Sequence, residues 1–246
     1  MKTRLITFCA TAGLLALCCC GKGNMKTLAL KETDQQIIID ADMDPYWENC
    51  DWEPLPNRRF PLTGVMDPKD LEASFKGLWD SEYLYFLVKI RDDKPFVMYA
   101  TTAVEKMYDL RIKELDGIEF YFNNGLKDKK ENTLNYFRLT YGADTISLSG
   151  QERTATGPFS AIKSSYKKYE DGYLYECSIP WGLLGIHPSK DESIRFELNV
   201  IDNDGDPMMP GAISRRKSII TWADETKTNP AWDNSIYGTI QFDKGD

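Results

Sequence analysis

The segment Tyr83-Leu-Tyr-Phe-Leu-Val-Lys-Ile90 is apolar on both faces of any strand it could form. Successive side chains of a strand point to opposite faces, so this one needs cover on both sides and belongs in the middle of a layered structure. Asp80-Ser81-Glu82 separates it from another strand pattern at 73–79, a spacing that closes a hairpin. A second hairpin reads across Glu170-Asp171-Gly172, between 161–169 and 173–179, because Asp-Gly is a strong turn signal. Further strands read at 36–40, 116–123, 135–141, 145–149, 194–202, 218–222 and 236–242. A single helical turn is expected at 180–184, a long loop carrying a short helix over 96–115, an irregular connection at 48–70 with one short extended piece at Phe60–Leu62, and a loop at 150–160. Strands joined by hairpins, with no alternation of strand and helix, predict an all-β fold: an antiparallel β-sandwich in a single domain with a short helix and long loops.

The ends of the chain read differently. Lys2 and Arg4 precede a short apolar run from Leu5 to Leu17 that is too short to span a bilayer. Cys18-Cys19-Cys20 and a Gly/Lys/Asn stretch follow. This pattern resembles a bacterial lipoprotein signal, with residues 1–19 removed and Cys20 lipidated; an ordinary cleaved signal peptide is the alternative. Residues 20–33 then read as a flexible tether and 34–243 as the folded domain. A chain exported in this way sits in the cell envelope, attached to the outer membrane by its lipid. Beyond the signal only Cys50 and Cys177 remain, and Cys177 falls in an apolar strand pattern that suits a buried thiol. The formal net charge of −8 argues against a nucleic-acid partner, since phosphate contacts need clustered Lys and Arg.

Strand parity singles out one polar face. In Asp116-Gly-Ile-Glu-Phe-Tyr-Phe-Asn123, Ile118, Phe120 and Phe122 share one side, while Glu119 and Tyr121 share the other. By the same parity Tyr136, Arg138 and Thr140 lie opposite Phe137 and Leu139, and Arg195, Glu197 and Asn199 lie opposite Phe196, Leu198 and Val200. If these strands are neighbours, Glu119, Tyr121, Tyr136, Arg138 and Asn199 meet. A carboxylate, a guanidinium, an amide and aromatic rings together suit the hydroxyls and C–H faces of a sugar. An ordinary solvated sheet face with a Glu–Arg pair has the same composition, so both readings stand.

Several motifs occur in an order that resembles family 9 carbohydrate-binding modules: Ile39-Asp-Ala-Asp-Met-Asp-Pro-Tyr-Trp47, Gly77-Leu-Trp-Asp-Ser-Glu-Tyr-Leu-Tyr85, Asp116-Gly-Ile-Glu-Phe120, Gly172-Tyr-Leu-Tyr-Glu176, Ile179-Pro-Trp181 and Trp222…Trp232…Tyr237-Gly238. The resemblance implies a β-sandwich that holds a terminal sugar between two Trp rings and carries structural calcium. It assigns carbohydrate binding to Trp232, Asn229, Glu119, Arg138 and Asn199, and packing to Trp47, Trp79 and Trp181. The family's second Trp has no counterpart before Asp116; Tyr108 is the aromatic there, so either it takes that place or the sandwich is one-sided. On this reading Arg138 can be removed without disturbing the fold.

Asp202-Asn-Asp-Gly-Asp206 offers oxygens at alternate positions, which suits calcium. The twelve-residue calcium loop fails, because Pro207 and Ile213 occupy its sixth and twelfth positions, and a polar turn is preferred. Asp202 and Asp204 are nevertheless candidate ligands, and the resemblance to family 9 modules adds Asp92 and Asp93 as alternatives. The single histidine, His187, excludes a zinc site built on histidines and reads as a loop residue. The reading that follows is non-catalytic binding of an oligo- or polysaccharide by a lipid-anchored module, alongside other glycan-degrading envelope proteins. A xylanase-type glycoside hydrolase, or an accessory part of one, is the alternative, since two carboxylates suffice for that chemistry. A haem-binding or ligand-less sandwich is the third.

Overall fold

The computed structural model describes residues 25–60, 67–95, 116–125, 136–140, 146–148, 151–154, 160–189, 191–204, 217–226, 230 and 233–244. Fourteen strands lie among them: β1 (Thr27–Glu32), β2 (Glu53–Pro54), β3 (Asn57–Phe60), β4 (Leu71–Trp79), β5 (Tyr83–Asp92), β6 (Gly117–Asn123), β7 (Tyr136–Thr140), β8 (Ile146–Leu148), β9 (Gln151–Thr154), β10 (Lys163–Tyr169), β11 (Gly172–Pro180), β12 (Ser193–Asp202), β13 (Ser218–Thr221) and β14 (Gly238–Asp243). One short helix, α1 (Trp181–Leu184), follows β11.

The strands form one hydrogen-bonded path, β10-β11-β5-β4-β1-β14-β12-β6-β7-β8-β9. β13 lies on β12 and β3, and β2 lies on β4. β1 is the corner: it runs parallel to β14 along Thr27–Lys31 and touches β4 at Lys31 and Glu32. The path therefore folds into two layers. Phe86 of β5 stacks on Phe196 of β12 with centroids 5.0 Å apart, and Phe75 and Phe120 pack around that pair. Such ring pairs add about 1 kcal/mol each beyond the area they bury.

β5 is central and covered on both sides. Leu84, Phe86, Val88 and Ile90 enter the main core. Tyr85 and Leu87 enter a second cluster with Leu78, Tyr46 and Trp47. That second cover comes from residues 37–52, and this corrects the expected strand at 36–40. Residues 36–40 form no strand; Ile37 and Ile39 pack against the second cluster while Ile38 is exposed. Glu176 of β11 holds this segment down. Its carboxylate accepts hydrogen bonds from the amides of Asp40 and Ala41 and from the Trp47 indole, each at 2.9 Å. Ala41 takes a left-handed φ of 62° to make the contact. Replacing Glu176 with Ala strands three donors, at least two of them buried. We expect a loss of about 3 kcal/mol in chemical denaturation, with the intrinsic fluorescence of Trp47 reporting release of this segment.

The assumed tether is also corrected. β1 falls within 20–33, and its backbone bonds to β14 and β4 make it part of the sandwich. Its mixed composition, TLALKE, hides this, because only Leu30 is fully buried. β9 occupies part of the 150–160 stretch read as a loop, and β2 and β3 occupy the irregular 48–70 stretch. The two hairpins form as read. In the second, Gly172 stands where a Cβ would lie 2.0 Å from the Ile90 carbonyl oxygen. Trp47, Trp79 and Trp181 are core residues, and Cys177 is buried. Cys50 and Cys177 are both free thiols. The short helix expected within 96–115 lies outside the described residues.

Candidate functional site

β7, β6 and β12 are neighbours, and their register sets Arg138 opposite Glu119 and Glu119 opposite Asn199. The row continues onto β13 at Thr221 and onto β3 at Asn57. Cross-strand partners point to the same face, so strand parity brings these side chains together as expected.

The geometry converges on one carboxylate. Glu119 Oε2 accepts from the Tyr121 hydroxyl at 2.8 Å and from Asn199 Nδ2 at 3.3 Å. Glu119 Oε1 accepts from Arg138 Nη1 at 3.2 Å and from the Tyr136 hydroxyl at 3.4 Å. Arg138 Nε donates to Thr140 Oγ1 at 3.3 Å. Tyr121 and Tyr136 lie side by side, with centroids 4.9 Å apart. Burial, and then the adjacent Glu119 carboxylate, push the Tyr121 phenol well above its usual range, so it stays a donor.

The environment of this row differs from a solvated sheet face. Glu119 is 5% exposed, Arg138 1%, Asn199 0% and Tyr121 4%. Alternation shows which residues share a face, not whether that face is covered. One consequence corrects the expectation for Arg138: a buried guanidinium paired to a buried carboxylate supports the fold as well as any ligand. Beside the row, Glu197 is also fully buried. Its carboxylate gathers the amides of Leu198, Trp222, Ala223 and Asp224 at 2.8–3.1 Å and pins the turn after β13. Burial pushes Glu197 up to about 7.

A second constellation lies where β5, β6 and β12 begin or end. Asp92, Asp116 and Asp202 are buried, with one carboxylate oxygen of each within 4.8 Å of the others. Asp92 Oδ2 and both oxygens of Asp202 have no hydrogen-bond partner. Burial, together with the neighbouring carboxylates, pushes Asp92 up to about 6 and Asp202 to about 8. Three converging carboxylates, two of them with open oxygens while Asp116 Oδ1 accepts from the Asn203 amide at 2.7 Å, suit a hard cation such as calcium. Asp116 is the residue that sequence reasoning missed. The sequence places it only at the start of a strand; the glycine after it packs against β7, where a Cβ at Gly117 would lie 2.4 Å from the Leu139 carbonyl oxygen. Asp204 does not join this trio. It belongs to an outer cluster with Asp70 and Asp93, where Lys217 pairs with both Asp70 and Asp204 and Lys94 approaches Asp204 at 3.3 Å. Asp202 is the last residue of β12 and Asp204 lies past the end of the strand, where strand alternation no longer sets its direction.

Trp232, Asn229, Tyr108 and Cys20 lie outside the described residues. His187 is an exposed loop residue whose Nδ1 contacts Ser189. A cleft of ≈ 1110 Å³ opens elsewhere, at the opposite end of β5, lined by Thr33–Ile39, Asp80, Tyr83, Tyr85, Ser164 and Ser178.

Three comparisons bear on the assignment. The endo-1,4-beta-xylanase A of Thermoanaerobacterium saccharolyticum is 27% identical over 205 residues, 82% of this chain but only 15% of that enzyme's length. A carbohydrate binding module family 9 from Caldicellulosiruptor kristjanssonii, solved with cellotriose, superposes with a TM-score of 0.64 at 20% identity, covering 90% of this chain and 95% of that one. The same module with glucose superposes at 0.62, also at 20% identity, covering 90% and 97%. The sequence profile of the carbohydrate family 9 binding domain-like family matches residues 39–244, from the segment pinned by Glu176 to the last strand. The chain belongs to that family.

Proposed function

We propose that this protein binds carbohydrate on the face formed by β7, β6 and β12 and performs no chemistry on it. The observation that carries this reading is the row Arg138–Glu119–Asn199 with Tyr121 hydrogen-bonded into it, held on a family 9 sandwich. A buried network whose geometry is fixed before ligand arrives suits selective binding. The structural neighbours solved with cellotriose and glucose support an oligosaccharide as ligand. The xylanase is matched over 15% of its length, so the likeness supports binding rather than hydrolysis. The resemblance that places Trp232 and Asn229 at the sugar, with Tyr108 as the second ring, belongs to this proposal.

The trio Asp92, Asp116 and Asp202 would hold calcium. Bound there, the doubly charged ion would offset most of the charge of three buried carboxylates and tie the ends of β5 and β12 to the start of β6. Cys18-Cys19-Cys20 supports lipidation at Cys20 and an envelope location, and the likeness to part of a xylanase supports a place beside glycan-degrading proteins.

A glycan-array screen followed by tryptophan fluorescence titration tests the binding. Wild type should show saturable binding to a neutral oligosaccharide. Trp232→Ala should weaken it more than tenfold, the loss of a stacked ring contributing on the order of 2 kcal/mol. New reducing ends on incubation with xylan or cellulose would replace this reading with the hydrolase.

A further inference from the structure

Most polar groups around the Glu119 row are already satisfied inside the protein. Glu119 accepts four hydrogen bonds from side chains. Thr221 Oγ1 donates to the Asp224 carbonyl, and Asn57 Nδ2 donates to the Trp222 carbonyl. Two atoms stand out against this background. Asn199 Oδ1 is buried with no partner, and the donation from Nδ2 to Glu119 Oε2 fixes which way the amide points. Arg59 Nη1 is also buried with no partner.

Arg59 reaches this face through an irregularity. In the β3–β13 ladder Asn57 opposes Thr221 and Arg58 opposes Ile220, but Phe60 opposes Ile219. The register shift leaves Arg59 with no opposite residue. Such bulges re-aim a side chain, often beside a functional site. Here the result is an Arg only 8% exposed, close enough to Tyr121 to act on its phenol electrostatically. No carboxylate among the described residues pairs with it. Glu53 is held by Lys26 and the Trp222 indole, Glu119 by Arg138, and Glu197 by backbone amides. Asp224 keeps an open Oδ2, but its other oxygen turns back to Thr226, and it forms no ion pair with Arg59.

A buried guanidinium without a partner costs stability, and a fold retains one where a ligand completes it. We infer that Arg59 is a binding residue of the carbohydrate face, working as an open donor on the same face as the open acceptor Asn199 Oδ1, and that the two select hydroxyls of a neutral sugar. A hydroxyl both donates and accepts, so sugar hydroxyls satisfy both atoms. A carboxylate satisfies Arg59 but meets Asn199 Oδ1 with a second acceptor. Glu119 and Arg138 are then positioning residues that hold Asn199 and Tyr121 in place.

This inference rests on the proposed carbohydrate binding, and the experiment separates the two. Wild type, Arg59→Met and Arg59→Lys are titrated by calorimetry with cellotriose, xylotriose and tri-galacturonic acid, and each protein is melted without ligand. Wild type should bind a neutral trisaccharide in preference to the uronate. Arg59→Met should bind it roughly tenfold more weakly or worse, with a melting temperature equal to or above wild type, because an unpartnered charge has gone. A structural arginine would give the opposite: a lower melting temperature and unchanged affinity. Arg59→Lys keeps the charge and loses the planar fork, and should still weaken binding even if Arg59→Met does not fold. Wild-type affinity in either folded variant, or tighter binding of the uronate by wild type, would overturn the inference. Failure of wild type to bind any of the three removes the carbohydrate reading and this inference with it.

Discussion

Arg138→Ala should lower the melting temperature on the order of 10 °C, and not merely abolish ligand binding. Arg138 is 1% exposed and pairs with Glu119, itself 5% exposed. Removing one member of a buried pair leaves the other as an uncompensated charge, at a cost of about 3–5 kcal/mol. For a domain of this size each kcal/mol moves the melting temperature by roughly 2–4 °C. The damage should spread, because Tyr121, Tyr136 and Asn199 all donate to the same Glu119 carboxylate. A double variant, Glu119→Gln with Arg138→Met, removes both charges and should be more stable than Arg138→Ala alone. Thermal unfolding of the three proteins checks this; an Arg138→Ala melting curve superimposable on wild type would contradict it.

Calcium should have a comparable effect on stability. Asp92, Asp116 and Asp202 bring three buried carboxylates within 4.8 Å. Without a cation, burial and then the repulsion of neighbouring carboxylates, Asp204 among them, oppose the charged forms, which is why Asp92 and Asp202 are pushed up to about 6 and about 8. An ion that binds only the folded state stabilises it by about 4 kcal/mol at a thousandfold excess over its Kd. Chelation with EDTA should therefore lower the melting temperature by roughly 8–16 °C, and added calcium should restore it. Asp202→Asn should remove most of the response to calcium, whereas Asp204→Asn should keep it, because Asp204 sits with Lys217 and Lys94 in the outer cluster. Equal melting temperatures with and without chelator would show that the trio holds no ion.

The layered β fold was legible because its strongest signals are local. β4 and β5 join through a tight turn, β10 and β11 through Glu170-Asp171, and the both-faced apolar pattern of β5 required two covers. β1 was not legible, since a strand held by parallel partners from both layers needs little apolar content of its own. Residues 36–40 misled for the opposite reason: an apolar triplet can pack onto a sheet without joining its ladder. At the site, parity correctly grouped Glu119, Tyr121, Arg138 and Asn199, because alternation is a property of the strand itself. Their burial depends on what crosses above them, and no local pattern encodes that. Arg59 and Asp116 were missed for related reasons. A bulge is a register event between two strands, and a carboxylate trio drawn from the ends of three strands has no sequence spacing.

Sugar binding at the Arg138–Glu119–Asn199 row can be read from side-chain amide and guanidinium resonances observed by NMR during titration with a neutral trisaccharide such as cellotriose. Saturable shifts are expected at Asn199 Nδ2 and Arg59 Nε, with the residues lining the cleft near Tyr83 and Ser178 unmoved. Shifts confined to that cleft, with Asn199 and Arg59 unchanged at saturation, would contradict it.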